Sequence, residues 1–314
     1  MIGKTVPSIL QAIGNTPLVR LNKVVPPGCA EVLVKLEYYN PTGSYKDRMA
    51  LAMIEGAEKR GDLRTGMCVV EYTGGSTGSS LACVCAVKGY RFRVVSSDAF
   101  AKEKLQTMKI FGAELTIVPS QDGQITPELV PQMVERASAI AKESPSFFTD
   151  QLNNTDSVKG YEQIGQELVQ QIDGPIHGFC ASVGTAAMLM GVAHILRRRT
   201  PSPRIIALEP ASTPLLTQGR GGIHHVEGIG IGLVPPLLNP AFFDEARGVK
   251  EEDSRQMAWR LAREEGIFAG TSSGMNVVGA IALAQELGLG HTVVTVAVDS
   301  GLKYLEGDLY GEQN

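Results

Sequence analysis

The chain has little of what would assign it to a membrane, a nucleic acid or an oxidising compartment. No apolar run approaches the roughly 20 residues a bilayer crossing needs, and the opening Met1-Ile2-Gly3-Lys4 has no signal-peptide core. The expected compartment is therefore the cytoplasm, with no membrane partner. Positive charge is not in excess: 29 Lys and Arg stand against 33 Asp and Glu, a net charge of −4. That balance gives no electrostatic footprint for nucleic acid. The one basic cluster, Arg197-Arg198-Arg199, follows the apolar stretch Ala187 to Leu196 and complements a helix C-terminus there. Cysteine is sparse, and its five copies are an odd number in mostly apolar surroundings. Cys83-Val84-Cys85 has no histidine or second cysteine pair nearby, so no metal site is expected. The cysteines read as small buried residues of a reducing compartment. Tryptophan occurs once, as Trp259 in the amphipathic stretch Ser254 to Arg263, where it reads as packing. None of the five histidines sits in a motif, and structural or surface roles are expected for all of them.

What the chain does have is alternation. With 314 residues it is long for one core and fits two lobes. Short apolar runs, each next to a helical stretch, recur along its length. Val69-Val70-Glu71 precedes a glycine turn and the helix Ser79 to Lys88. Phe92 to Ser96 precedes Lys102 to Phe111, and Leu115 to Val118 precedes Glu128 to Ala141. Gly178 to Ala181, Ile205 to Leu208 and Val293 to Val298 continue the series. This is the pattern of an α/β protein whose parallel sheets are covered on both faces. No internal repeat, low-complexity tract or composition break marks a linker.

The most informative segment is Asn40-Pro41-Thr42-Gly43-Ser44-Tyr45-Lys46-Asp47-Arg48. It follows Glu31 to Glu37, which alternates as a strand does. Pro41 and Gly43 break that strand, and Ser44 can cap a helix running through Met49 to Ile54. Lys46 then falls in the first helical turn, where the positive end of the helix disfavours an ammonium. An amine so placed is suited to a Schiff base, which needs a lowered pKa and a dry pocket.

Three further segments stand out, the first two at the ends of strands. Glu71-Tyr72-Thr73-Gly74-Gly75-Ser76-Thr77-Gly78 joins a strand to a helix, where the ligands of open α/β sheets bind and where amides can hold a carboxylate. Ser182-Val183-Gly184-Thr185-Ala186-Ala187-Met188 follows a strand and opens a helix, a setting that suits a phosphate. Glu265-Gly266-Ile267-Phe268-Ala269-Gly270-Thr271-Ser272-Ser273-Gly274 brings a serine pair to the start of another helix, which that pair can N-cap.

Taken in order, these segments resemble the motifs of the cysteine synthase and cystathionine β-synthase family, fold-type II enzymes that use pyridoxal 5'-phosphate. Ile13-Gly14-Asn15-Thr16-Pro17-Leu18-Val19-Arg20-Leu21, Glu227-Gly228-Ile229-Gly230 and Val298 to Leu305 add smaller matches, so the resemblance spans nearly the whole chain. It implies a two-lobed, three-layer α/β fold of mostly parallel sheets with helices on both faces and the cofactor between the lobes. The smaller, mobile lobe would be residues 39–155 with 1–12. The larger would be 13–38 with 156–314. By the same resemblance Lys46 is the catalytic lysine that holds the cofactor. Gly184, Thr185, Ala186, Ala187 and Met188 lie at its phosphate, Ser76 at its ring oxygen and Ser272 at its ring nitrogen. Thr73, Gly74, Thr77 and Gln151 orient the substrate carboxylate, with Gly228 in the loop above.

The chain departs from the family pattern at five of these positions. Gly74 stands for a serine, Ser76 for an asparagine, Ala186 and Ala187 for glycines that they replace with their own amides intact, and Met188 for a residue with a hydroxyl. The reaction implied is β-replacement on a β-substituted L-serine, with O-acetylserine as first donor and sulfide as nucleophile. Serine or threonine dehydratase-type elimination is the alternative, and a non-catalytic homologue acting as a binding partner is the third reading. The partners implied are a small amino-acid substrate and a second copy in a homodimer, with a serine acetyltransferase as a further candidate that no residue points to.

Overall fold

The computed structural model describes residues 5–122, 128–307 and 309–310, so residues 1–4 and 123–127 of the expected smaller lobe, and 308 and 311–314 of the larger, lie outside the described residues. The first half of the chain runs β1 (Leu18–Arg20), β2 (Glu31–Leu36), α1 (Lys46–Arg60), β3 (Cys68–Tyr72), α2 (Ser76–Lys88), β4 (Arg91–Ser97), α3 (Lys102–Ile110), β5 (Glu114–Val118), α4 (Leu129–Ala141) and β6 (Ser146–Phe148). The second runs α5 (Asp156–Gln171), β7 (Gly178–Ser182), α6 (Ala187–Leu196), β8 (Arg204–Pro210), α7 (Leu215–Gln218), β9 (Glu245–Val249), α8 (Glu251–Arg260), α9 (Thr271–Leu287) and β10 (Thr292–Ala297). The chain divides into two compact units, Met1–Gly14 with Asn40–Gly160 and Asn15–Tyr39 with Tyr161–Asn314.

The first unit is built on a four-stranded sheet, ordered β5-β4-β3-β6, in which every pairing is parallel. All five residues of β3 are buried. Cys68, Val70 and Tyr72 join Val95 and the α4 residues Leu129, Met133, Ala137 and Ile140 in one apolar cluster. Successive strand side chains point to opposite faces, so Val69 and Glu71 turn the other way. A strand covered on both faces reads as a continuous apolar run, which is why β3 and β4 were legible in the sequence.

The second unit carries a six-stranded sheet, ordered β1-β2-β10-β7-β8-β9, parallel throughout except where β1 meets β2. Helix α9 packs on β7 and β10 near the middle of this sheet. Gly274 lets α8 come close, since a Cβ there would collide with the Ser254 carbonyl. Within β2, Lys35 is fully buried. Its Nζ donates to Thr16 O at 2.7 Å and Gln171 Oε1 at 2.8 Å, and pairs with Glu167 Oε2 at 2.6 Å. Glu167 also accepts from Asn15 N at 2.9 Å. A buried ammonium needs such a set of partners, and here they anchor the Asn15-Thr16 segment to α5.

Some elements differ from the sequence reading. Helix α2 starts at Ser76 instead of Ser79, because Gly75 takes the N-cap position and its carbonyl accepts from Gly78 N at 3.0 Å. Strands β6 and β9 and helix α5 were not anticipated. Among the described residues no helix is long and apolar enough to cross a membrane.

Candidate active site

Lys46 is the first residue of α1 and is buried. The turn before it is fastened at almost every residue. Gly43 adopts φ +72°, which favours glycine, and its N–H donates to Asn40 O at 2.8 Å. The buried Asn40 side chain accepts from Gly14 N at 2.8 Å. Asp47 accepts from Thr42 N at 2.8 Å and from Thr42 Oγ1 at 2.5 Å. Ser44 lies one residue before the N-cap position, held by Tyr45, yet its Oγ still accepts from Lys46 N at 3.1 Å. Thr42 Oγ1 lies 3.2 Å from Ser80 Oγ, which ties this turn to α2. The motif therefore fixes where α1 begins, and so fixes the lysine. Its Nζ sits 4.8 Å from the centre of the Tyr45 ring.

The loop between β3 and α2 lies in the same unit. Thr73 N donates to Val95 O at 3.0 Å, and Thr73 Oγ1 accepts from Gly75 N at 3.2 Å. Thr77 Oγ1 donates to Gln151 Oε1 at 2.8 Å, while Gln151 Nε2 donates to Tyr72 O at 3.0 Å. The structure thus joins Thr77 and Gln151, two residues assigned to the substrate carboxylate, with Thr73 in the same loop. Ser76 opens α2 beside them.

Gly74 has a reason of its own. The edge of the Phe100 ring occupies the place its Cβ would take, and the Lys104 methylenes lie against Gly75, with Cδ 3.0 Å from the position of a Cβ there. Phe100 fills the room that a serine side chain would claim. Gly74→Ser is accordingly expected to cost about 1–3 kcal/mol of local overpacking and about tenfold in kcat/KM. Adding Phe100→Ala should recover most of that loss, which steady-state kinetics on the double-mutant cycle would read.

The second unit carries the other group of assigned residues. Helix α6 begins at Ala187, with Ala186 at its N-cap in the left-handed region at φ +65°. Met190 N donates to Ala186 O at 3.0 Å, so the amides of the preceding turn have no helical acceptor four residues back. Ala187 N lies 3.4 Å from Thr185 Oγ1. A Cβ on Gly184 would collide with the Gly228 carbonyl, and Gly230 N donates to Val183 O at 3.1 Å. The structure therefore places Gly228 against the Gly184 loop itself. His224 shapes this glycine loop: its Nδ1 accepts from Val226 N at 3.1 Å, which leaves Nε2 to donate to Gly230 O at 3.0 Å.

Ser272 and Ser273 do not cap α9. The helix starts at Thr271, its N-cap residue is Gly270, and no side chain bonds the cap. Ser273 Oγ accepts from Val298 N at 2.9 Å, and Ser272 is buried in the first turn. Asn276, one turn further on, donates to Val296 O at 2.9 Å and accepts from Ser182 N at 2.7 Å. It pins α9 to the ends of β7 and β10, beside the loop that carries Gly184. Sequence reasoning missed Asn276, Phe100 and Glu71. Only Glu71 left a signal, as a carboxyl at the end of an apolar run.

These residues fit pyridoxal phosphate. A helix N-terminus with a left-handed residue, a threonine hydroxyl and a glycine that excludes a Cβ suits its phosphate. A buried lysine at the start of a tightly fastened helix suits its carbonyl carbon. The family model described as pyridoxal-phosphate dependent enzyme matches residues 9–299. The chain belongs to this family. Its sequence is 41% identical over 312 residues to a cysteine synthase of Staphylococcus aureus strain N315, covering 99% of each chain. The crystal structure of an O-ureido-L-serine synthase matches with a TM-score of 0.92 at 32% identity, over 99% of this chain and 97% of that one. A cysteine synthase from Entamoeba histolytica matches with a TM-score of 0.92 at 32% identity, over 100% and 93%. The family member described here is a cysteine synthase-like enzyme that uses pyridoxal phosphate for β-replacement on amino-acid substrates, and its two mostly parallel sheets are those of fold-type II.

Proposed function

We propose that the enzyme takes O-acetyl-L-serine and sulfide to L-cysteine and acetate. The observation that supports this reading is the bond between Thr77 and Gln151, beside Thr73 in the β3–α2 loop, in the same unit as the buried Lys46. The set suits an amino-acid carboxylate, and the lysine suits the α-carbon chemistry next to it. Bound pyridoxal phosphate supplies an electron sink for the pair left behind when the α-proton departs.

The chain's own residues do the rest. The loop from Gly184 to Met188 holds the phosphate through backbone amides and the Thr185 hydroxyl, and Met188 adds no oxygen. Ser76 would hold the ring oxygen. Ser272 offers the ring nitrogen a neutral hydroxyl instead of a carboxylate, which favours prompt loss of a β-substituent. Thr73, Thr77, Gln151 and the Gly74 backbone orient the substrate carboxylate, and Gly228 lies over the phosphate loop. Lys46 Nζ would take up the α-proton of the bound substrate and hold it. Acetate would leave the β-carbon with its bonding pair, sulfide would add there, and Lys46 Nζ would return the proton to the α-carbon.

The test is product analysis with purified, cofactor-loaded protein. O-acetylserine with sulfide should give cysteine and acetate in equal amounts. Pyruvate and ammonia in place of cysteine would turn the assignment to elimination. Cysteine formation slower than replacement by another nucleophile would keep the class and overturn sulfide, and the O-ureido-L-serine synthase relative makes that arm worth running.

A further inference from the structure

Glu71 is fully buried, at the end of β3. Its Oε1 accepts from Tyr72 N at 2.8 Å. Its Oε2 accepts from Gln151 N at 3.1 Å and lies 2.7 Å from Thr149 Oγ1. That hydroxyl also lies 3.0 Å from Val70 O. A hydroxyl has one proton to give, and a backbone carbonyl can only accept. With Glu71 ionised, the Thr149 proton can serve Glu71 or Val70, and the other contact sets two oxygen lone pairs against each other. With a proton on Oε2, Glu71 donates to Thr149 and Thr149 donates to Val70, so every close contact holds a hydrogen.

The surroundings agree with this count. Burial pushes the Glu71 carboxyl up to about 8, against the pull of Thr149 and the Tyr72 and Gln151 amides, and the Asp150 carboxylate adds to the rise. The Tyr72 phenol, next on the strand, is itself raised by burial and by Glu71. On β4 the residue opposite Glu71 is Val94.

We propose that Glu71 is a positioning residue for the substrate carboxylate, held as the neutral acid and acting through Thr149 and Gln151. Its bond to Gln151 N fixes the backbone of the residue whose side chain links Thr77 Oγ1 to Tyr72 O. The inference rests on the reading of Thr77 and Gln151 as carboxylate ligands. When Glu71 ionises, a buried negative charge appears behind that grip and the Thr149 relay loses its proton. Substrate affinity falls, while the chemistry at Lys46 is untouched.

Glu71→Gln separates this from a merely structural role. An amide cannot both donate to Thr149 and accept from Gln151 N at one atom, and it does not titrate. In the native enzyme the donor KM should rise about tenfold between about pH 7 and about pH 9, with kcat following its own profile. In Glu71→Gln the KM should be raised already at neutral pH and show no such rise. Infrared spectroscopy of the folded protein should show a protonated-carboxyl band in the native chain that is missing from Glu71→Gln, whether or not the variant turns over. An equal KM rise in both proteins, or no band that the variant removes, would overturn the proposal. Thr77→Val tests the reading beneath it: a raised donor KM supports the carboxylate grip, and an unchanged one removes the grip and this proposal together.

Discussion

Lys46→Ala is expected to reduce turnover by about a thousandfold or more, since a positioned general base alone contributes about 10²–10⁴-fold. The same change should remove the visible absorption of covalently held cofactor while leaving the fold intact. Alanine is the best helix former and would stand at the first residue of α1, where Thr42, Gly43, Ser44 and Asp47 hold the turn through bonds that do not use the lysine side chain. Lys46→Arg is the sharper control. It keeps a cation of similar reach but offers no amine that deprotonates under working conditions. Both variants should be inactive with near-native melting. Turnover that survives in either would move the role away from Lys46. Lys104 would be the first residue to test in its place, because it is buried in the same unit with its methylenes against Gly75.

Much of this site was legible because the residues that build it are neighbours in sequence. Asn40 through Asp47 contain both the turn formers and the lysine they position, so one short window held the cause and its consequence. The amide loop at Gly184 was legible for the same reason. The contacts that explain the departures from the family pattern are not local. Phe100 reaches Gly74 across the β4 connection, and no periodicity in the sequence announces that contact. Gly74 consequently looked like a lost hydroxyl, whereas the structure shows a position already filled from outside. Asn276 was hidden in the same way, because its partners lie on β7 and β10. The serine pair misled for another reason: a serine before an apolar run is a good N-cap signal, but Gly270 had already taken that position.

The fold shows the same division. Strands buried on both faces, such as β3 and β7, wrote themselves into the sequence as apolar runs. Strand β6 is three residues long, and β9 carries Glu245 and Arg247 in a network with Arg204 and Glu286. An edge strand that meets water and ion pairs has no reason to be apolar. Helix α5 begins at Asp156, which pairs with Arg60 at 2.6 Å and with Lys159 at 3.0 Å; it buries Val158, Tyr161, Ile164 and Leu168 at helical spacing, so its periodicity was there to be read and was overlooked.

The phosphate loop gives the second large effect. Gly184 does not need glycine for its backbone angles, since its φ is not positive; it needs glycine for room. The obstacle is the Gly228 carbonyl, a backbone atom that cannot swing aside as a side-chain tip can. Gly184→Ala must therefore push the 226–230 loop outward, stretching the Gly230 N to Val183 O bond, or turn the 184–185 peptide and misdirect the amides proposed to hold the phosphate. Overpacking of this kind costs about 1–3 kcal/mol, so cofactor affinity should fall about ten- to a hundredfold. Ala186→Gly makes the opposite change two residues away. It relieves a left-handed alanine that costs about 1–2 kcal/mol, and it should bind cofactor at least as well as the native loop. Titration of the cofactor-free proteins with pyridoxal phosphate, read by absorbance and by the gain in melting temperature, gives both affinities. If Gly184→Ala binds as tightly as the native chain, the phosphate does not sit on this loop, and the roles given to Thr185, Ala187 and Met188 fall with it.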